Sequence, residues 1–419
     1  MVERINKVFW LFVIITITFN ELLGLFIPKM ALRFFYIFLM IIWIVGIMMS
    51  RRGVVSINTE DKMVSLYLLT AFLRFFIQFF GEDMSPVTTI AFAQLTIPII
   101  GYYMSAFIND KDAVTIESFF CTCTVISVIM GLIDPYVHFF PSNAQLSRRL
   151  YAYIAGGRTV LRGYSMAGSA LITGFICALA ASFAINLEKS IFRNNLYRNV
   201  VLVISFIGLF RSYSRGALAF FAVVAIVYIF KKLNNNRWRI KAIHILFTVS
   251  ALFILQILSI INWNRIVQSS FFQRFITVAL DFSERSNNRR RYFQSLALLK
   301  VKESPFFGHG FGFTGYQALT KQVSGGVNSE SYVISLLLEI GIVGLLCFIL
   351  AILHVVILAF KTSVDEFALR YVAIVVGVTA WSVMYIVLDS DLNGLLFWYC
   401  VGRLRYIMSQ TAETSISIV

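Results

Sequence analysis

Histidine and cysteine are scarce in this 419-residue chain, with four of the first and five of the second. The cysteines Cys121, Cys123, Cys177, Cys347 and Cys400 all fall in apolar stretches, and none has metal-ligand spacing with a histidine. A zinc centre and a disulfide framework are therefore not expected, and the thiols read as buried small hydrophobes. Charge is thin as well. Only 14% of residues are Asp, Glu, Lys or Arg, too few for an ordinary soluble domain. Acids are the scarcer sign, 21 against 36 bases. No Ser-His-Asp order, no paired-carboxylate motif of the glycosidase kind and no internal repeat is present.

What is abundant is apolar sequence. The chain is 59% hydrophobic, with mean hydropathy +0.80 and 41 Phe. Apolar runs of about 18 to 24 residues recur from end to end, each long enough to cross ~30 Å of hydrocarbon at ~1.5 Å per residue. The runs are 8–27, 31–49, 63–80, 86–108, 113–133, 164–187, 197–213, 215–231, 241–261, 331–353, 367–388 and 392–408. They predict an all-α, polytopic integral membrane protein of about twelve transmembrane helices, a single membrane domain over 1–419. The first run has no small-residue cleavage site after it and a second run follows at once, so it reads as a retained helix.

Short-loop Lys and Arg mark the cytoplasmic side. Arg51, Arg52, Lys62, Lys111, Lys189, Arg193, Arg198, the Lys231–Lys241 cluster, Lys361 and Arg370 share one side of a twelve-helix arrangement. Arg4, Lys7, Arg403 and Arg405 join them, which places both termini in the cytoplasm. Two long connections then face outward: 134–163, and the polar 262–330. Long loops cross largely regardless of charge, so the bases of 262–330 have no topological purpose and a binding purpose is favoured. Attraction to lipid headgroups is the plain alternative. Arg74 lies inside the third run, close enough to its outer end to snorkel.

Four outward elements carry candidate chemistry. Gly157-Arg158 and Arg162-Gly163 precede the sixth run. Arg211-Ser212-Tyr213-Ser214-Arg215-Gly216-Ala217 joins the seventh to the eighth. Arg289-Arg290-Arg291 opens an amphipathic stretch in which Arg290, Phe293, Leu296 and Ala297 have helical spacing. A helix there could lie on the membrane, apolar stripe down. Asn328-Ser329-Glu330-Ser331 enters the tenth run. Arginine suits phosphate, because its planar fork makes paired charge-assisted hydrogen bonds and never deprotonates. Arg215 also opens a helix, where free N–H groups and the dipole favour an anion. Gly308-His309-Gly310-Phe311-Gly312 has no preceding strand and no following Lys-Ser/Thr, so it reads as a tight, close-packed turn. His309 is the only histidine of the long loop. Glu330 has two readings: a helix-end acid stabilised by the dipole, or a base that orients a hydroxyl.

The order of these elements resembles the O-antigen ligase/polymerase superfamily across residues 158–405. The resemblance rests on Arg162-Gly163, then Ser214-Arg215-Gly216-Ala217, then Arg290 or Arg291 in a large loop. Pro305-Phe306-Phe307-Gly308-His309-Gly310 follows, and Glu330-Ser331 precedes Glu339-Ile340-Gly341-Ile342-Val343-Gly344. It implies a helical membrane enzyme of the bacterial inner membrane, acting at the periplasmic face on undecaprenyl-diphosphate-linked oligosaccharides without a metal or other cofactor. Arg215, Arg290, Arg291 and Glu330 are then the candidate catalytic residues. Arg158, Arg162, Arg211, Arg289 and His309 are the candidate substrate-binding residues. Membrane lipid and a chain-length regulator protein are the implied partners, and no nucleic acid is expected. Ligases carry His-Asn where this chain has Glu330-Ser331, so the resemblance favours a repeat-unit polymerase. The alternatives are a ligase that transfers the glycan to lipid A–core, a lipid-linked oligosaccharide flippase, and a non-enzymatic polysaccharide-binding partner.

Overall fold

The computed structural model describes residues 2–49, 61–81, 86–137, 151–153, 159–161, 164–185, 195–212, 214–233, 284–314, 326–361, 366–385, 388 and 391–416. The fold is all-α. Its helices are α1 (Val2–Thr18), α2 (Asn20–Leu23), α3 (Lys29–Met49), α4 (Asp61–Gly81), α5 (Pro86–Ser105), α6 (Asp110–Val137) and α7 (Ala170–Ile185). They continue as α8 (Asn195–Arg211), α9 (Arg215–Leu233), α10 (Glu284–Val301), α11 (Tyr332–Lys361), α12 (Glu366–Met384) and α13 (Asp391–Ile416). Eleven of the twelve expected spans coincide with these helices, and the ninth, 241–261, lies outside the described residues. A small antiparallel ribbon, β1 (Tyr151–Tyr153) with β2 (Thr159–Leu161), sits in the 134–163 connection with Ala152 opposite Val160. Among the described residues, four stretches are long and apolar enough to cross a membrane: Asp61–Gly81, Val87–Ser105, Asp110–Asp134 and Tyr332–Ala359.

The chain forms two compact units. One comprises Met1–Trp43 and Asn109–Glu284; the other comprises Ile44–Ile108 and Arg285–Val419. In the first unit α6 begins at a side-chain cap, the Asp112 N–H donating to Asn109 Oδ1 at 2.8 Å. Asp110 and Asp112 in its first turn suit the helix dipole, and Lys7 of α1 pairs with Asp112 at 2.7 Å. Helix α7 is buried along almost its whole length among α6, α8 and α9. Small residues allow this: a Cβ on Gly174 would lie 2.8 Å from the Ser214 Cβ and 2.9 Å from that of Ala217. All five cysteines are buried, as the apolar surroundings of each implied.

The second unit packs α5 along α13 and α4 along α11. Three arginines counted as cytoplasmic loop charge are in fact buried in α12 and α13. Arg405 pairs with Asp61 at 2.5 Å, and Asp61 also accepts from the Tyr102 hydroxyl at 2.9 Å. Arg403 donates to the Ile108 carbonyl, and Arg370 donates to the Tyr371 hydroxyl at 3.0 Å. Their work is structural, so the topological count loses these three residues. Arg74 also departs from expectation. It does not snorkel but is buried, 8% exposed, and donates to the Gly308 carbonyl at 3.4 Å.

Candidate functional site

In the first unit, the Ser212–Ala217 segment turns one helix into the next. Ser212 Oγ donates to the Leu209 carbonyl at 2.7 Å and accepts the Ser214 N–H at 3.2 Å. The Leu218 N–H closes onto the Ser214 carbonyl at 3.1 Å, so α9 starts with Arg215 as its first residue. N–H groups of a helix's first turn have no partner within the helix, and they add to the field at that end. Arg211 ends α8 and is exposed. The segment after Arg162-Gly163 is firmly tied. The Tyr164 hydroxyl donates to the Asp134 carboxylate, the Met166 N–H donates to the Ser127 carbonyl at 3.3 Å, and the Met166 carbonyl accepts the Glu21 N–H at 3.1 Å. Arg158 and Arg162 themselves lie outside the described residues. Asp134 was not found by sequence reasoning; its signal is a lone acid at the end of an apolar run.

In the second unit, α10 runs through Arg289, Arg290 and Arg291, so all three are helical. The stripe read from the sequence faces protein: Ala297 is buried and Phe293 and Leu296 are partly so, whereas Tyr292, Leu298 and Leu299 are exposed. Polar residues occupy the N-terminal half of α10 and apolar ones the C-terminal half, so the helix is segregated along its length as well as around it. At its end Lys300 grips Glu303 at 2.8 Å, and that contact holds the Glu303 carboxyl below the usual carboxylate range.

The glycine-rich loop that follows is an insertion into a broken helix. Helix α11 is interrupted at Gly341, whose φ of 68° and ψ of −171° are not helical. A break frees carbonyls on one side and N–H groups on the other, and inside a membrane each needs a partner. Residues 305–310 supply them. The His309 N–H donates to the Leu338 carbonyl at 2.6 Å and the Gly310 N–H to the Glu339 carbonyl at 3.1 Å. In return the Ile342 N–H donates to the Pro305 carbonyl at 2.9 Å and the Val343 N–H to the Phe306 carbonyl at 3.3 Å. The approach is so close that a Cβ on Gly341 would lie 2.1 Å from the Phe306 oxygen, and one on Gly308 2.7 Å from the Gly341 nitrogen. The expected tight turn is thus present, and its glycines have a stated cause.

Side chains lock the insertion. Gln78 of α4 accepts the Phe311 N–H at 2.8 Å and donates to the Phe311 carbonyl at 3.3 Å. The Phe311 ring sits edge-on to Phe92 at 5.4 Å. His309 Nε2 lies 2.8 Å from the Lys300 carbonyl, so that nitrogen carries the proton, and its ring stacks on Phe313 at 4.3 Å. His309 therefore ties the end of α10 to the loop. Glu339 Oε1 accepts from the Gly312 N–H at 3.2 Å and the Thr314 hydroxyl at 2.9 Å.

Glu330 stands at the mouth of α11. Its φ of 49° makes it the only non-glycine residue with positive φ among those described. Its N–H donates to Asn328 Oδ1 at 3.2 Å. The helix is capped by its neighbour: Ser331 Oγ meets the Ile334 N–H at 3.4 Å and donates to the Val383 carbonyl at 2.6 Å. Ser331 is the N-cap, and Glu330 lies outside the helix. The capping hydrogen bond therefore comes from Ser331, with Glu330 immediately before it.

Composition and fold together define an all-α membrane protein with an anion-suited helix start in one unit and a broken, loop-filled helix in the other. Residues 200–349 match the family model described as O-antigen ligase. The chain is similar to that family over this segment, which covers less than half of its length. The match spans Arg211, Arg215, Arg289, Arg290, Arg291, His309 and Glu330, while Arg158 and Arg162 lie before it. No curated protein matches the chain significantly.

Proposed function

We propose that the chain is an inverting membrane glycosyltransferase that polymerises undecaprenyl-diphosphate-linked oligosaccharide repeat units at the periplasmic face of the bacterial inner membrane. The reducing-end sugar of the growing chain passes to a hydroxyl of the next lipid-linked unit. The acceptor oxygen attacks the anomeric carbon from the face opposite the diphosphate. The bond to the diphosphate breaks with its electron pair, and the hydroxyl proton leaves to a base. Negative charge grows on the departing phosphate oxygens. Arg215, and Arg290 or Arg291, stabilise it, with Arg158, Arg162, Arg211 and Arg289 assigned to holding the anionic donor. A chain-length regulator protein is the partner this reading implies.

The observation that carries the proposal is Glu330. A left-handed backbone at a bulky, partly exposed acid is strained, and such strain gathers at functional positions. Ser331 supplies the cap of the helix, and the left-handed Glu330 stands just before it. Its place in the family order is held by His in ligases, which favours a polymerase here. The ligase reading has its own support in the likeness of residues 200–349 to the O-antigen ligase family. One assay separates the two: purified protein with lipid-diphosphate repeat units alone, or with lipid A–core added. Extension of repeat units without lipid A–core supports the polymerase, and transfer confined to lipid A–core overturns it. In the same assay Glu330→Gln should lower the rate roughly 10²-fold or more, the cost of losing a general base. A near wild-type rate removes that role.

A further inference from the structure

Glu339 is an acid in the middle of an apolar helix, only 8% exposed. An ionisable group at such a place needs a reason beyond solubility. Holding the loop in the helix break is not sufficient reason. Four backbone hydrogen bonds already join 305–310 to 338–343, and Gln78 fixes Phe311 on both its sides. What the Glu339 carboxylate adds is a grip on the next stretch, Gly312 and Thr314. Thr314 in turn forms an isolated parallel bridge with Val327, whose N–H donates to the Phe313 carbonyl at 3.1 Å. Three residues beyond Val327 is Glu330, its N–H held by Asn328. A route of hydrogen bonds and single backbone steps therefore runs from Glu339 through Thr314, Phe313, Val327 and Asn328 to Glu330, separate from the α11 backbone that carries Glu339.

We propose that Glu339 is a positioning residue: its carboxylate, through Thr314 and the Thr314–Val327 bridge, sets the backbone from which Glu330 projects. The proposal rests on the reading of Glu330 as the group that handles the acceptor hydroxyl. The physical need is plain. A positive φ at a non-glycine residue persists only when its surroundings over-determine it. Ser331 fixes the helix side of Glu330, and the Glu339 route fixes the loop side.

Hydrogen exchange of the full-length protein in lipid nanodiscs tests this without reference to activity. Glu339→Ala and Thr314→Val should each speed exchange at 327–331 by about tenfold or more, the loss of a buried hydrogen bond. Exchange in α13 should be unchanged. Glu339→Gln retains an oxygen that accepts both bonds and should stay within about threefold of wild type. Thr314→Val keeps its shape and serves where the alanine variant misfolds. Unchanged exchange at 327–331 in Thr314→Val and in any folded Glu339→Ala overturns the proposal. Rates then test the link to Glu330. Glu339→Ala or Thr314→Val should slow transfer in the wild-type background and add little to Glu330→Gln, because residues acting through one group are non-additive. Losses that multiply in full would overturn positioning in favour of general stabilisation. If Glu330→Gln alone transfers at the wild-type rate, the catalytic reading of Glu330 fails, while accelerated exchange in Thr314→Val would still support Glu339 as setting that backbone.

Discussion

Arg215 and Glu330 were legible from their neighbours in sequence, because each sits at a helix boundary that local residues announce. Ser214-Arg215-Gly216-Ala217 reads as a helix start and is one. Arg74 was not legible. A lone arginine near the end of an apolar run reads as a snorkelling anchor, but its partner, the Gly308 carbonyl, lies 234 residues away in sequence. The capping role of Ser331 was hidden too, since a Glu at a helix mouth looks like a sufficient cap. For Arg215 the expected behaviour is specific. Arg215→Ala should abolish products beyond one repeat without loss of folded protein. Arg215→Lys should recover little, because a point charge cannot reproduce the paired hydrogen bonds of the planar fork. Product-length ladders on gels check this, and a normal ladder from the alanine variant would remove Arg215 from the clamp.

Among the elements, α10 and α11 show where hydropathy stops being informative. Both halves of α11 are apolar, so its run reads as one continuous span, and only Glu339-Ile340-Gly341 hints at a break. The break is real and is filled by the loop before it. The amphipathic spacing of α10 was legible, but which side its apolar stripe faces was not. Periodicity gives a face, and the tertiary contact at Ala297 gives its direction. Gly341 offers a clean test at this scale. Its backbone occupies a region that is essentially glycine-only, and a methyl group would collide with the Phe306 carbonyl. Gly341→Ala should therefore destabilise the purified protein by about 1–3 kcal/mol or more, seen as a lower unfolding midpoint in detergent. Gly81→Ala is the matched control. Gly81 ends α4 with open space around it, and alanine there should change stability by roughly 0.5 kcal/mol or less. Equal effects at the two positions would mean that the break is not a tight constraint.

For the whole molecule, the reading turns on which side of the membrane carries α10. The short-loop charge bias predicts that 262–330 lies outside, and removing the buried Arg370, Arg403 and Arg405 from the count leaves that bias in place. The remaining residues expected on the cytoplasmic side, such as Arg51, Arg52, Lys189 and Lys231, fall in or beside short connections, where the charge rule holds best. A cysteine at Ser286, in the first turns of α10, should react with a membrane-impermeant maleimide in intact spheroplasts. A cysteine at Ser363, in the connection between α11 and α12, should react only after permeabilisation. The native background is favourable, because all five cysteines are buried. Each outcome has a direct mechanistic meaning. The lipid-linked donor of the proposed reaction presents its diphosphate at the periplasmic surface, so arginines on the cytoplasmic side would never meet it. Labelling at position 286 only after permeabilisation would therefore remove Arg289, Arg290 and Arg291 from the site, and the proposed polymerisation with them. Labelling at both positions in intact spheroplasts would show that α11 does not cross the membrane as one span, and the break at Gly341 would then mark a return to the same side.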